Sequence, residues 1–121
     1  MPTITYECIT KRGRLEAEDV SNVLDHTDDL AEYTFMNYLE RELVRQNGQE
    51  FLIQASDKVQ FIMGFILQHN YEGLFNMYNR CFDIYMEGCN NNILYANGFN
   101  IVFVVLIHMA KKILRKTKDF N

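Results

Sequence analysis

Apolar and polar residues recur with the spacing of an α-helix along most of the chain. Between Leu15 and His26 the apolar positions alternate with acidic residues, which predicts a short amphipathic helix. Thr27 then offers a hydroxyl cap and Asp28 and Asp29 offer first-turn carboxylates for a second amphipathic helix. We expect that helix to end at Asn47-Gly48, because glycine readily takes the positive φ of a helix exit.

The stretch from Phe51 to Leu67 leaves almost no polar face. Helices that are apolar on all sides are typical of positions surrounded by other helices. We therefore predict that this stretch is the buried central helix. Its apolar residues are Phe51, Leu52, Ile53, Ala55, Val59, Phe61, Ile62, Met63, Phe65, Ile66 and Leu67.

Two further helices are predicted in the last third of the chain. Asn70 is placed to cap a helix from Tyr71 to about Glu87, with Gly88 at its exit. Residues 89–92 form a predicted turn, since asparagine tolerates positive φ. A final apolar helix follows within residues 93–118, and the pair Asn97-Gly98 is expected to divide it into a short and a longer piece.

The start of the chain is compatible with two structures. Residues 3–13 alternate like a short strand, with Ile4, Tyr6 and Cys8 on one side. They also present Ile4, Cys8 and Ile9 on one face of a helix. In either case Gly13 ends the element.

Composition favours one all-α domain. The 121 residues are 48% hydrophobic and include a single proline, so one core fits and nothing resembles a linker. We predict one domain, residues 1–121, made of six to eight helices around the central helix. The formal net charge of −4 argues against a nucleic-acid partner, because that affinity depends on neutralising phosphates.

Compartment and membrane contact are also constrained. An odd number of cysteines, three, without metal-ligand spacing favours a reducing cytoplasm, and the N-terminus lacks the apolar core of a signal peptide. The apolar run from Phe99 to Ala110 is only twelve residues long and includes Asn100 and His108. A membrane span needs roughly 20 residues, so we predict a core helix, no integral membrane anchor and a cytoplasmic protein.

The sequence predicts neither a metal site nor an enzyme. The three histidines, His26, His69 and His108, have no second ligand three or four residues away, and no cysteine has an activating partner nearby in sequence. The acidic residues of the second helix are typical of a solvated face. We predict no catalytic residues, no metal and no cofactor.

The run ELVRQNGQEFLI, residues 42–53, is similar to the first homology region of the Bcl-2 family of apoptosis regulators. Glu42, Leu43, Arg45 and Gly48 match, and Phe51 stands where the family has tryptophan. The asparagine and the second arginine of the pattern are absent. In the family that arginine pairs with an aspartate of the ligand helix, so the departure affects the expected ligand contact.

The run ILYANGFNIVFVVL, residues 93–106, resembles the second homology region. It matches at Asn97, Gly98, Phe103, Val104 and Leu106, and Phe99 replaces a tryptophan. Residues 74–88 are similar in length to the sixth family helix, and residues 7–13 resemble the end of the first. Short, divergent members of the family are mostly viral.

The resemblance implies a Bcl-2-like helical bundle that prevents apoptosis. Such a protein, viral in this case and acting in the host cell cytoplasm, would sequester the BH-three helix of a pro-death protein such as Bim. The ligand helix would lay its apolar residues at i, i+3, i+4 and i+7 into a hydrophobic groove. The expected groove residues are Val20, Val23, Leu24, Phe35, Leu39, Arg41, Glu42, Leu43, Arg45, Phe51 and Phe61.

Within that groove, Arg45 or Arg41 is the nearest candidate to pair with the ligand aspartate. The apolar residues of the Leu15–Leu43 segment also predict that the same groove pairs two copies of the protein when ligand is absent. The alternative interpretation is a helical homodimeric adaptor or scaffold module that binds no death ligand.

Overall fold

A computed structural model describes residues 11–26 and 30–120, with only the backbone of 30–32 and 118–120. The predictions for residues 3–10 and for the cap at 27–29 lie outside that part of the chain. The described residues contain no strand, which confirms the all-α class. They form five α-helices and one 3-10 turn: α1 (Ala17–His26), α2 (Leu30–Asn47), α3 (Gln49–Leu67), α4 (Tyr71–Gly88), the turn Ile93–Tyr95 and α5 (Ala96–Phe120).

The predicted helix ends are confirmed where a local signal marks them. Gly48 follows α2 with φ 70°, a conformation that favours glycine. The Asn70 side chain accepts a hydrogen bond from the Gly73 amide at 2.9 Å and so caps α4. Asn90 and Asn91 have φ of 56° and 57° in the turn after Gly88. Sequence therefore determines these boundaries through the backbone preferences of glycine and asparagine.

The last helix differs from the prediction. Asn97 and Gly98 do not interrupt it, and α5 runs without a break from Ala96. The short piece before it is the 3-10 turn, which the Asn92 side chain caps by accepting from the Leu94 amide at 3.1 Å. The described residues therefore contain five α-helices, fewer than the six to eight predicted.

The central helix is α5, so the prediction that residues 51–67 occupy the centre is wrong. Six consecutive residues of α5, Phe103–His108, are buried, which requires neighbours on every side of the helix. It contacts all four other helices and the 3-10 turn. In α3 the buried residues are Ala55, Val59 and Ile62, which lie on one stripe. Helix α3 packs on α5 along that stripe and exposes its other side.

A buried hydrogen-bond network joins the N-terminal segment to α4 and α5. The Tyr78 hydroxyl donates to Asn100 Oδ1 at 2.6 Å and accepts from the Leu15 amide at 2.8 Å. Asn100 Nδ2 donates to the Gly13 carbonyl at 2.8 Å. Tyr78 and Asn100 are both fully buried, so the network satisfies groups whose burial would otherwise be costly.

Arg14 attaches the same segment to the outside of α4. It pairs with Asp83, donates to Asn79 Oδ1 at 2.8 Å, and lies 4.7 Å over the Phe82 ring. The segment before α1 is thus held by contacts on both sides of α4.

Candidate functional site

An apolar groove of about 330 Å³ lies between the first halves of α3 and α5, with one wall from the end of α4. We call it the Phe51–Phe99 groove. Apolar side chains form most of its surface, and a lysine and a glutamine stand at its edge. The lining residues are Phe51, Gln54, Ala55, Lys58, Tyr85, Gly98, Phe99, Val102 and Leu106.

Residues from the two motif segments identified in the sequence, 42–53 and 93–106, both line this groove. Phe51 comes from residues 42–53, and Gly98, Phe99 and Val102 come from residues 93–106. The positive φ at Gly48 lets α3 start immediately after α2, which places Phe51 in the first turns of α3. The space around the Gly98 Cα is open, so the absence of a side chain leaves the groove clear at that point.

Aromatic rings hold Phe99 in position. Its ring centroid lies 5.2 Å from Tyr85, 5.6 Å from Phe82 and 5.8 Å from Tyr78. These separations are within the range of favourable ring pairs. The neighbouring Asn100 belongs to the buried network, which fixes the rotation of α5 about its axis. The Phe99 wall of the groove is therefore preorganised.

Tyr85 brings a phenol to the groove wall. Its partial burial raises the pKa of Tyr85, and a hydrogen bond with the Cys89 thiol acts in the same direction. Tyr85 therefore stays protonated at neutral pH and can donate or accept a hydrogen bond. Together with Gln54 and Lys58, it gives an otherwise apolar groove three polar side chains.

Most of the residues predicted to form the groove lie elsewhere. Val20, Val23 and Leu24 are buried in the core, so they offer no surface to a ligand in this conformation. Phe35 and Leu39 are half-buried and pack against the same core. Leu43 is also half-buried.

The remaining predicted residues divide between two surfaces. Arg41 is exposed on α2, and Phe61 is 66% exposed on α3 and does not line the groove. Phe51 is the one predicted residue that lines the Phe51–Phe99 groove. The groove residues missed from sequence lie on three helices. They are Gln54, Ala55 and Lys58 on α3, Tyr85 on α4, and Gly98, Phe99, Val102 and Leu106 on α5. A signal for those on α5 was available in the second motif at Gly98 and Phe99.

Arg45 is engaged with its own helix. Its guanidinium makes two hydrogen bonds to Glu42, at 3.0 and 2.9 Å, on the surface of α2. This contact lowers the pKa of Glu42 and raises the pKa of Arg45. Because the pair is exposed, it contributes little to stability and opens easily.

A second groove lies on the other flank of α3, against the second half of α5. Its volume is about 560 Å³ and its lining is also largely apolar. The lining residues are Leu52, Ser56, Val59, Gln60, Met63, Gly64, Leu67, Met109 and Ile113. Because α3 contacts α5 along a narrow stripe, an apolar groove stays open on each of its two flanks.

A polar cluster between α2 and α5 was not predicted. Lys112 Nζ lies 3.1 Å from Asn37 Oδ1 and 3.1 Å from Glu40 Oε1. His108 Nε2 is 3.3 Å from the same Asn37 oxygen, and its ring meets Tyr33 edge-on at 5.1 Å. All of these partners belong to packed helices. The cluster therefore ties α2 to α5.

Neither a metal nor a membrane gives a stronger alternative site. No group of three or more metal-ligating side chains occurs in the part of the chain that the structure describes. Residues Ile93–Thr117 are long and apolar enough to cross a membrane, and 50% of the apolar window is buried within the protein. The core helix of a globular protein can be equally long and apolar. The burial of Phe103–His108 makes α5 a core helix in this fold.

No family model, curated protein or solved structure matches this chain.

Proposed function

We propose that this protein is a helix-binding module that takes a BH-three helix of a pro-death Bcl-2 family protein into the Phe51–Phe99 groove and so prevents cell death. One observation carries the proposal: two segments that resemble the homology regions, far apart in sequence, border the same apolar groove. Phe51 lies on one wall, and Phe99, Val102 and Leu106 lie on the other.

The mechanism is one of binding rather than chemistry. An amphipathic helix buries apolar residues spaced i, i+3, i+4 and i+7 in such a groove. Preorganised aromatic residues contribute most to interfaces of this kind, because they bury a large area with little loss of conformational freedom. Phe99, held by Tyr85 and Phe82, has that role here.

The aspartate of the ligand helix needs a cation, and Lys58 is the one at the groove edge. A charge-assisted hydrogen bond of this kind contributes roughly 1.5–3 kcal/mol. Arg45, the residue favoured by the motif, points to Glu42 instead. A single lysine lacks the forked geometry of arginine, so we expect a narrow range of ligands.

A panel of BH-three peptides, titrated by calorimetry or fluorescence anisotropy, tests the proposal. We expect at least one peptide to bind, and Lys58→Glu to weaken that binding about tenfold, the ratio that corresponds to about 1.4 kcal/mol. Lys116→Glu is the matched control, since it reverses another exposed lysine far along α5. Absence of binding by every peptide, or equal loss in both variants, would reject the proposal.

A homodimeric adaptor or scaffold without death-ligand binding is the second candidate function. The exposed apolar side of α3 favours it, because large exposed apolar patches usually mark interaction sites. Self-association together with indifference to all BH-three peptides would select this function over the first.

A further inference from the structure

Helix α3 carries three of the most exposed large apolar side chains of the described residues. Ile53 is 72% exposed, Leu67 is 67% exposed and Phe61 is 66% exposed. They lie outside the stripe of Ala55, Val59 and Ile62 that packs on α5. Ile53, Ser56, Gln60, Gly64 and Leu67 follow one another along one flank of α3 at helical spacing, and we call them the Gln60 stripe.

Charge is nearly absent from this surface. Among residues 53–68 the charged positions are Asp57 and Lys58, and Lys58 belongs to the Phe51–Phe99 groove on the other side. One carboxylate in about four helical turns gives no basis for binding a charged partner. The surface favours a partner that is also apolar and nearly uncharged.

The Gln60 stripe is symmetric about its central residue. Ile53 and Leu67 lie seven positions before and after Gln60, and Ser56 and Gly64 lie four positions before and after it. At 1.5 Å per residue, the large pair stands about 10 Å from the centre and the small pair about 6 Å. A sequence with this symmetry is complementary to its own antiparallel copy.

We propose that two copies of this protein pair through antiparallel α3 helices about a two-fold axis beside Gln60. Each Ile53 then meets Leu67 of the other copy, and each Ser56 meets Gly64, whose small size permits close approach of the helices. The two Gln60 amides face each other and can exchange hydrogen bonds, since each carries donors and an acceptor. A two-fold axis makes every contact occur twice, as in an isologous dimer.

Neighbouring residues extend this interface. Ser56, Gln60, Gly64 and Leu67 of the Gln60 stripe also line the second groove. Met63 and Ile113 of that groove can therefore contact the other copy. One pair of helices with these flanks falls near the lower size limit of stable interfaces, roughly 1,200 Å² in total. We therefore expect a dimer that dissociates at micromolar concentrations.

This inference does not rest on the proposed function. The Phe51–Phe99 groove lies on the opposite flank of α3 and stays open in the dimer. A groove ligand is therefore expected to bind the dimer without dissociating it. That differs from the sequence-based expectation that ligand and self-association compete for one groove.

Sedimentation equilibrium with two matched variants tests the pairing. Ile53→Glu is expected to weaken dimerisation at least tenfold. Ile84→Glu makes the same change at a residue of similar exposure, 65%, on α4, and is expected to leave dimerisation unchanged. Circular dichroism checks that both variants remain folded. A wild-type protein that stays monomeric up to millimolar concentration, or two variants that behave alike, overturns the proposal.

Cross-linking tests the two-fold axis itself, in a protein whose three cysteines are replaced by serine. Gln60→Cys is expected to form a covalent dimer with a short bifunctional maleimide, because the two thiols lie next to the axis. Ser56→Cys alone is expected to remain monomeric, since its two copies are offset by about 12 Å along the helices. A mixture of Ser56→Cys and Gly64→Cys is expected to cross-link. The reverse pattern would exclude antiparallel pairing centred on Gln60.

Discussion

Helices α3 and α5 are both long and apolar, yet they occupy different depths in the fold. By average hydrophobicity α3 is the more apolar of the two, and it buries only Ala55, Val59 and Ile62. Helix α5 has a basic end, and it buries six consecutive residues in its middle. The comparison shows that average composition does not decide depth. A helix becomes central when the others can pack around all of its sides, which α1, α2, α3 and α4 do around α5.

The largest expected difference in stability is between two variants that place the same charge in α5 and in α3. Ile107 is fully buried in α5, so Ile107→Asp buries a carboxylate without a partner and should unfold the protein, whose total stability is expected to be about 5–15 kcal/mol. Ile53→Asp should remain folded, because that side chain is already in solvent. Thermal unfolding followed by circular dichroism measures both.

Phe65→Asp should destabilise the protein by an amount between those of these two variants, because Phe65 is half-buried. If Ile53→Asp unfolds the protein and Ile107→Asp does not, the two helices have been assigned the wrong depths.

The buried hydrogen-bond network around Asn100 is expected to hold α5 in place, and removing it tests this. Asn100→Leu removes hydrogen bonds to Tyr78 and Gly13, and each buried group left without a partner costs about 1–3 kcal/mol. We expect a clear loss in the free energy of unfolding by urea. Asn76→Leu on the exposed surface of α4 is the control and should change little. Equal effects would mean that the network does not anchor α5.

Substitutions at two glycines compare a packed helix surface with an open one, and their expected effects are smaller. A Cβ at Gly73 would lie 2.7 Å from Phe65 Cε1 and 2.6 Å from Asn70 Nδ2. Gly73→Ala should therefore disturb the Asn70 cap and cost about 1–2 kcal/mol.

Gly64 on α3 has nothing within 4 Å of the same position. Gly64→Ala should stabilise the helix by about 0.5–1 kcal/mol, because alanine loses less backbone entropy than glycine. Chemical denaturation of both variants, at protein concentrations low enough to avoid self-association, compares them. We expect the two substitutions to change the free energy of unfolding in opposite directions. Destabilisation by Gly64→Ala would contradict an open surface at that position.

The smallest effect is expected at Glu42 and Arg45. The hydrogen bond from Arg45 lowers the pKa of Glu42 below its ordinary value of 4.5. A lowered carboxyl pKa means that the stabilisation is complete above the ordinary value and is lost as pH falls through the lowered one. Arg45→Gln should return the Glu42 pKa toward its ordinary value in a carboxyl NMR titration, with no measurable change in stability at pH 7. A large loss of stability at pH 7 would show that the pair is more than a surface contact.

The helix boundaries were predictable because their signals are local. The exits at Gly48 and Gly88, the cap at Asn70 and the turn at Asn90-Asn91 all depend on residues adjacent in sequence. The exception is Asn97-Gly98, which the helix accommodates because Ala96 before it and Phe103 after it are both anchored in the core.

The candidate site was only partly predictable. Phe51 and the second motif were identified from sequence, and both lie at the groove. Val20, Val23 and Leu24 were expected in the same groove, because an apolar face on a short helix looks the same whether it is to bind a ligand or the core. The burial of Val23 at 0% exposure assigns that face to the core.

The sequence by itself determined that the chain is helical, where most of its helices begin and end, and which two motif segments deserve comparison. These properties follow from residue spacing and from backbone preferences within one or two turns. Only the tertiary structure decided that α5 is central, that Asn100 joins Tyr78 and Gly13, and that Lys58 rather than Arg45 stands at the groove. The reason is physical: burial and hydrogen bonding depend on which surfaces meet in space, and residues such as Gly13 and Asn100, 87 positions apart, become neighbours only when the helices pack.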